Sequence, residues 1–534
     1  MVFYVFLVSI NEEGHGCKMK KGYLCWNRNY VEGKVDEHLF GSFLEHLGQC
    51  VYGGIYEPGH ESADENGFRN DVKELVRELG VTAVRYPGGN FVSGYDWKDG
   101  IGPRKDRRQT WNLAWQEEES NQVGIAEIAL FLEECGAEPI MAVNLSTAGV
   151  KEAGELLEYC NKGEDRPYGR LRIEHGYEKP WGIRYWCLGN EMDGPWQIMS
   201  RSAEDYAALA RETGKLMKWI DPDIQCIFCG SSTNEPGHDS YGEWDRIVLD
   251  HAWEQVDYLS LHRYYNYRPD KQLFYHTTED KTDIPYIFYD MDHFLRMAEG
   301  LCEYEKERRH SDKEIFLAFD EWGVVARTGA VPGGISQQYG YAGYSLLDAV
   351  IYGGLLCTLL NHAARVKIAC QSMLVNEGGM IAAQPGKKAI RQTIWYPFYD
   401  ASHFGRGIAL KMSGELPTAS TAHHGEQTCV AAAAVYREEE GEITVFLANS
   451  DLEEEAEIEI CLQDFGVLHA LEWRELYAED EELGNSFEEE FRVAPVQRKL
   501  PDVLNGHITL VLKKHSWNVL RWKTENTIFS RLIP

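Results

Sequence analysis

The stretch Tyr185-Trp186-Cys187-Leu188-Gly189-Asn190-Glu191-Met192-Asp193-Gly194 decides the fold. Aromatic and apolar residues run up to a glycine, and an amide and a carboxylate follow. An unbroken apolar run of this length, closed by a glycine, reads as a strand buried on both faces, the form strands take in a parallel sheet. Its C-terminal tip then carries Asn190 and Glu191. Ile315-Phe316-Leu317-Ala318-Phe319-Asp320-Glu321-Trp322 repeats the form, again ending in carboxylates.

Working outward, the same grammar recurs six more times. Leu39 to Leu44 leads to Glu45-His46, and Val81 to Val84 leads to Arg85 and then Tyr86-Pro87-Gly88-Gly89-Asn90. Pro139 to Val143 leads to Asn144, and Ile224 to Cys229 to Gly230-Ser231-Ser232. Val256 to Leu261 leads to His262-Arg263-Tyr264, and Arg365 to Cys370 to Gln371-Ser372-Met373. Helical spacing lies between them: Val72, Leu75, Val76 and Leu79 share one face, as do Ile125, Ile128, Ala129 and Leu132. Tyr206, Leu209, Ala210 and Met217 mark a longer helix, and Met291, Phe294, Leu295 and Ala298 another. Tyr341 to Leu360 is apolar nearly all round, which predicts a buried helix.

Eight strands alternating with helices predict a closed (β/α)8 TIM barrel. An open doubly wound sheet is the competitor, but no early G-x-G-x-x-G marks a dinucleotide crevice. In a barrel all strand C-termini meet at one face. Glu45, Arg85, Asn90, Asn190, Glu191, His262, Tyr264 and Glu321 would then converge. A single polar strand end is usually structural; this many aimed one way is hard to explain as packing.

After about Phe404 the pattern changes to short strands: Glu442 to Asn449, Ala456 to Leu462, Leu468 to Trp473 and His507 to Leu512. This predicts a C-terminal all-β sandwich domain over 404–534 behind a catalytic barrel over 39–403. Residues 19–38 are read as a strand segment pairing with that domain. Residues 1–18 are apolar at first but lack a basic start and a small-residue cleavage site. They read as an extension or misassigned start, with a cryptic signal peptide as the alternative.

The net charge of −32 argues against nucleic acid and anionic membrane surfaces as partners. The 13 cysteines are odd in number and several sit inside apolar runs, which predicts reduced, buried thiols in a cytoplasmic protein. Cys226 and Cys229 form a C-x-x-C pair, but it lies within a strand and no second pair completes a zinc site, so no metal is expected. Gly88-Gly89 reads as a tight turn.

Two carboxylates at strand tips are the minimal equipment of a glycosidase. One protonates the departing glycosidic oxygen; the other attacks the anomeric carbon or activates water. Asn190 could hydrogen-bond a sugar hydroxyl, Tyr264 could orient Glu321, and Arg85 could orient carboxylates or hold Glu45.

Four stretches carry a family resemblance: Gly41 to Gly48 (GSFLEHLG), Val84 to Phe91 (VRYPGGNF), Trp186 to Gln197 (WCLGNEMDGPWQ) and Ser260-Leu261-His262. Together they resemble the α-L-arabinofuranosidases of glycoside hydrolase family 51, from about Lys20 to the C-terminus. The resemblance implies a retaining, exo-acting α-L-arabinofuranosidase with Glu191 as acid/base and Glu321 as nucleophile. It implies a sugar pocket of Glu45, Arg85, Asn90, Asn190, His262 and Tyr264, with Trp115 as an aromatic wall. It further implies arabinose-containing oligosaccharides as substrates, no cofactor, and a cytoplasmic homo-oligomer, hexameric in the family. A β-xylosidase or β-glycanase on the same barrel, or a non-catalytic carbohydrate-binding protein, are the alternatives.

The sequence also departs from the family pattern. Trp322-Gly323-Val324-Val325 stands where Trp-Asn-Val-Trp is usual. Met373 stands where a sugar-contacting Gln is usual, and Ala364 replaces a usual Asp. These changes predict an altered pocket rim around intact catalytic parts.

Overall fold

The computed structural model describes residues 19–234, 241–267, 278, 280–325, 327–328, 342–501 and 503–525. The reading of residues 1–18, and the start of the apolar helix at Tyr341, lie outside them. The first strand, β1 (Lys20–Lys34), precedes the barrel. The barrel strands are β2 (Gly41–Phe43), β3 (Ala83–Tyr86), β4 (Glu138–Val143), β5 (Tyr185–Leu188), β6 (Gln225–Cys229), β7 (Tyr258–Tyr265), β8 (Phe316–Val324) and β9 (Val366–Gln371). They close in chain order, all parallel, with β9 pairing back onto β2.

The barrel interior is packed by Ala83, Ile140, Ala142, Tyr185, Cys187, Ile227, Tyr258, Ala318, Ile368 and Cys370. The outward faces of the strands meet the helices. Helix Asn70–Leu79 turns Val72, Leu75, Val76 and Leu79 inward and ends at Gly80, whose φ of 76° suits a residue without Cβ. Cys226 and Cys229, three residues apart on one strand, point to opposite faces. They and the other ten described cysteines are free and buried.

Strand β1 lies outside the barrel and pairs antiparallel with Ile408–Glu415 and parallel with Ala456–Gln463. It thereby joins a nine-stranded sheet made otherwise of C-terminal strands. That sheet has its own core, built on Leu24, Trp26, Val445, Ile458, Leu510 and Trp522. Its middle strands are buried on both faces. Ala432, Ala434 and Tyr436 face this second core, while Ala431, Ala433 and Val435 face the barrel side.

The layer between is the helix Leu346–Asn361, buried from Leu346 to Leu360 as its all-round apolarity predicts. Two glycines at its centre allow the close approach. A Cβ on Gly353 would lie 2.4 Å from the Trp517 ring, and one on Gly354 would lie 2.2 Å from Phe288. The barrel and the sheet are thus packed on opposite sides of one helix.

Candidate active site

The two carboxylates reach the same place by different local devices. On β5 the strand stops at Gly189 (φ 94°), and Glu191 itself takes a left-handed φ of 43°. That turn lets Asn190 and Glu191 both face inward. On β8 the device is a bulge. Ala318 pairs with Ser260 and Glu321 with His262, so three steps on β8 match two on β7. Asp320 and Glu321, adjacent in sequence, therefore both point into the barrel. Trp322 points out and stacks on Tyr352 at 4.8 Å.

One oxygen of Glu191, one of Glu321 and one ring nitrogen of His262 lie within 4.8 Å of one another. His262 Nδ1 is 3.0 Å from Glu191 Oε1 and 3.6 Å from Glu321 Oε2. Trp196 donates its indole N–H to Glu191 Oε2 at 2.6 Å. Glu321 accepts from Arg85 Nη1 at 2.9 Å and from the Tyr264 hydroxyl at 2.7 Å. Arg85 also donates from Nη2 to Asn190 Oδ1 at 2.6 Å, its guanidinium 5.0 Å from the Phe43 ring centre. Among the described residues Asn190 Nδ2 is buried with no partner, a donor available to a ligand.

Glu45 sits beside this group. Its Oε1 accepts from Phe91 N at 2.8 Å and from Trp115 Nε1 at 2.9 Å. The Gly88-Gly89 turn passes directly over it: a Cβ on Gly88 would lie 2.5 Å from Glu45 Cγ. A Cβ on Gly89 would lie 3.2 Å from Glu45 Oε2 and 3.4 Å from Glu321 Oε2, so this turn lies between the two acids. Arg85 reaches Glu321, Asp320 and Asn190 rather than Glu45. Trp115 is more than a wall, since its N–H holds Glu45. Asn90 opens the 3-10 turn Asn90–Gly94, partly exposed, and among the described residues no hydrogen bond joins it to the cluster.

The electrostatics follow from burial and pairing. Burial pushes the Glu45 carboxyl up to about 7, and the Glu321 charge adds to this. Burial also pushes Glu321 up, with Glu191 adding, while His262, Arg85 and the Tyr264 hydroxyl pull it back toward the anion. For His262 burial favours the neutral ring, but Glu321, Asp320 and Glu191 outweigh it and raise the imidazole to about 10.

The changed positions lie alongside. Gln371 donates to the carbonyls of Ser372 and Gly378, and Asn376 bonds Gln49 O and Ala383 N. Asn376 and the Gln371 N–H groups are thus engaged with backbone, Gln371 Oε1 has no partner among the described residues, and Met373 beside them is buried. A Cβ on Gly323 would lie 3.2 Å from Gln371 Oε1. Two residues of the cluster, Trp196 and Asp320, are not marked by the sequence pattern of strand tips. Trp196 follows the Gly194-Pro195 turn signal that folds it back, and Asp320 is visible only as the neighbour of Glu321.

The sequence profile of the α-L-arabinofuranosidase 1 domain matches residues 75–281, and that of the α-L-arabinofuranosidase C-terminal domain matches residues 320–516. The chain is 41% identical over 513 residues to an intracellular exo-α-(1→5)-L-arabinofuranosidase 1 of Bacillus subtilis, covering 95% of this chain and 100% of that one. The chain belongs to glycoside hydrolase family 51. It is 39% identical over 531 residues to an exo-α-(1→6)-L-arabinofuranosidase of Bifidobacterium longum, covering 96% of this chain and all of that one. The structure of a family 51 α-L-arabinofuranosidase from Bifidobacterium longum superposes with a TM-score of 0.88 at 36% identity, covering 95% of this chain and 100% of that one. The (β/α)8 barrel and the β-rich C-terminal part are therefore those of the family.

Proposed function

We propose that this family 51 protein is a retaining, exo-acting α-L-arabinofuranosidase, releasing terminal non-reducing arabinofuranosyl residues from arabinosides and arabino-oligosaccharides. The observation that carries the reading is the approach of Glu191 and Glu321, with oxygens within 4.8 Å. Retaining pairs stand about 5–5.5 Å apart, whereas inverting pairs leave room for water at about 6.5–9.5 Å.

Glu321 is the nucleophile: a guanidinium and a phenol donate to it, which favours the anion. Glu191 is the acid/base, held by Trp196 and His262 without a guanidinium. Glu191 protonates the departing oxygen while Glu321 forms a glycosyl ester at the anomeric carbon. Glu191 then takes a proton from the water that attacks that carbon and frees Glu321. Two inversions leave the configuration retained. Glu45, Arg85, Asn90, Trp115, Asn190, His262 and Tyr264 line the sugar pocket in this reading, and Asn190 Nδ2 supplies a free donor for a hydroxyl.

Relatives named intracellular, and cysteines that are free and buried, support a place inside the cell. A homo-oligomeric assembly belongs to the same proposal, and light scattering tests it. The test of function is a panel of aryl α-L-arabinofuranosides, β-xylosides and β-glucosides. Turnover should favour the arabinofuranosides; turnover of the others alone overturns the reading.

A further inference from the structure

Beneath the catalytic pair lies a third carboxylate, which neither the composition nor the pairing of strand tips singles out. Asp320 is fully buried and shielded from any ligand in the pocket. The bulge on β8 turns it inward just below Glu321. Its Oδ2 is 3.1 Å from Arg85 Nε, and its Oδ1 is 3.5 Å from His262 Nε2. Ser260 Oγ fixes Oδ1 by donating to it at 2.5 Å, and Cys187 Sγ lies 3.5 Å from Oδ2.

The two cations that Asp320 touches are the two that touch the catalytic acids. Arg85 passes from Asp320 through its guanidinium to Glu321 and Asn190. His262 passes from Asp320 through its ring to Glu191 and Glu321. We propose that Asp320 is a positioning residue of the reaction: from the layer below, it holds Arg85 and His262 in the orientation and charge state in which they contact Glu321 and Glu191. The inference rests on reading Glu191 and Glu321 as the catalytic pair.

The structural alternative is that Asp320 merely neutralises a buried arginine. Charge counting separates the two. Arg85 already has Glu321 as a counter-ion, so Asp320 is the additional negative charge that a protonated His262 requires. The groups facing Asp320 from the packed elements are Arg85 on β3, Cys187 on β5, Cys229 on β6, His262 on β7 and Cys370 on β9, with Glu321 above it. The cysteines are neutral at any working pH, because burial raises all three thiols. Arg85 and Asp320 stay charged, with the Asp320 carboxyl held at about 2 because Arg85 and His262 outweigh its burial. Removing the Asp320 charge therefore acts on His262 and, through it, on the catalytic pair.

The test is Asp320→Asn, compared with the wild type over a full pH profile on an aryl α-L-arabinofuranoside. The acid limb of kcat/KM should move to higher pH, because a His262 ring that loses its charge with Asp320 no longer pulls Glu321 toward the anion. The loss should fall on kcat, about ten- to a hundredfold, with KM nearly unchanged. Ser260→Ala removes a hydrogen bond but keeps the charge, so its acid limb should stay in place. A lower kcat with an unshifted acid limb in Asp320→Asn, or wild-type kinetics, overturns the proposal. Should the variant not fold, NMR of the histidine-labelled wild-type enzyme decides, with the His262 signal assigned by its loss in His262→Gln. Both ring nitrogens must carry protons at pH 7, and a neutral ring overturns the proposal. Failure of the underlying reading is distinct: Glu321→Ala would then retain full activity.

Discussion

The Tyr264 hydroxyl donates to Glu321 Oε1 at 2.7 Å, from the strand beside the one that carries Glu321. The register of the two strands makes this contact possible, since Gly323 pairs with Tyr264 and Glu321 with His262. The phenol meets the oxygen opposite the one bound by Arg85, so both carboxylate oxygens are fixed. A hydrogen bond to a charged group is worth about 1.5–3 kcal/mol. Tyr264→Phe keeps the ring and removes the donor. It should lower kcat about ten- to a hundredfold and leave KM within a few-fold, measured by steady-state kinetics on an aryl α-L-arabinofuranoside.

Glu45 gives a prediction about stability rather than rate. Its carboxyl is raised from 4.5 to about 7, so the folded state holds a proton that the unfolded chain releases. For a raised carboxyl the sign is destabilising. The penalty is absent below about 4.5, grows as pH rises, and is complete above about 7. Glu45→Gln removes it. The variant should be more stable than the wild type at pH 8 by on the order of 3 kcal/mol, and the gain should vanish as pH falls to 4.5. Thermal melts across this range check it. The same variant should bind sugar less well, because a site carboxylate is lost.

Much of this arrangement is legible in the chain, and the exceptions have identifiable causes. Glu45, Arg85, Glu191, His262 and Glu321 follow apolar strands, so strand ends alone point to them. The inward turn of both Asp320 and Glu321 is not legible, because a bulge is a property of two strands in register and one strand alone does not encode it. Simple alternation would send one of the two outward. The strand Val430–Arg437 is hidden for another reason. Its run of alanines has high helix propensity, but small side chains are what permit burial against a helix on one face and a core on the other. The partners of Gln371 and Asn376 are equally hidden in the sequence, since they are backbone groups of segments, after β2 and after β9, that only the fold brings together.

Those partners sharpen the prediction at Met373. Of the neighbours able to replace a missing amide, Asn376 and the Gln371 N–H groups are engaged with backbone, which leaves Gln371 Oε1, an acceptor only, without a partner among the described residues. A thioether offers a weak acceptor where an amide would donate and accept. The Met373→Gln variant should gain on α-L-arabinofuranoside relative to a close pentoside by about 0.5–1.5 kcal/mol, roughly two- to tenfold in the ratio of kcat/KM. An unchanged ratio would remove position 373 from any account of specificity.

Glu191 and Glu321 divide the labour of the reaction, and azide rescue of Glu191→Ala shows which residue does which part. Without its acid, the variant should still form the glycosyl ester on Glu321 from substrates with activated leaving groups, which need little protonation. Azide needs no general base and should then attack that ester. Turnover should be restored, and the product should be an arabinofuranosyl azide of retained configuration, identified by NMR. An azide of inverted configuration would mean that azide had replaced the nucleophile, and would contradict the assignment of Glu321.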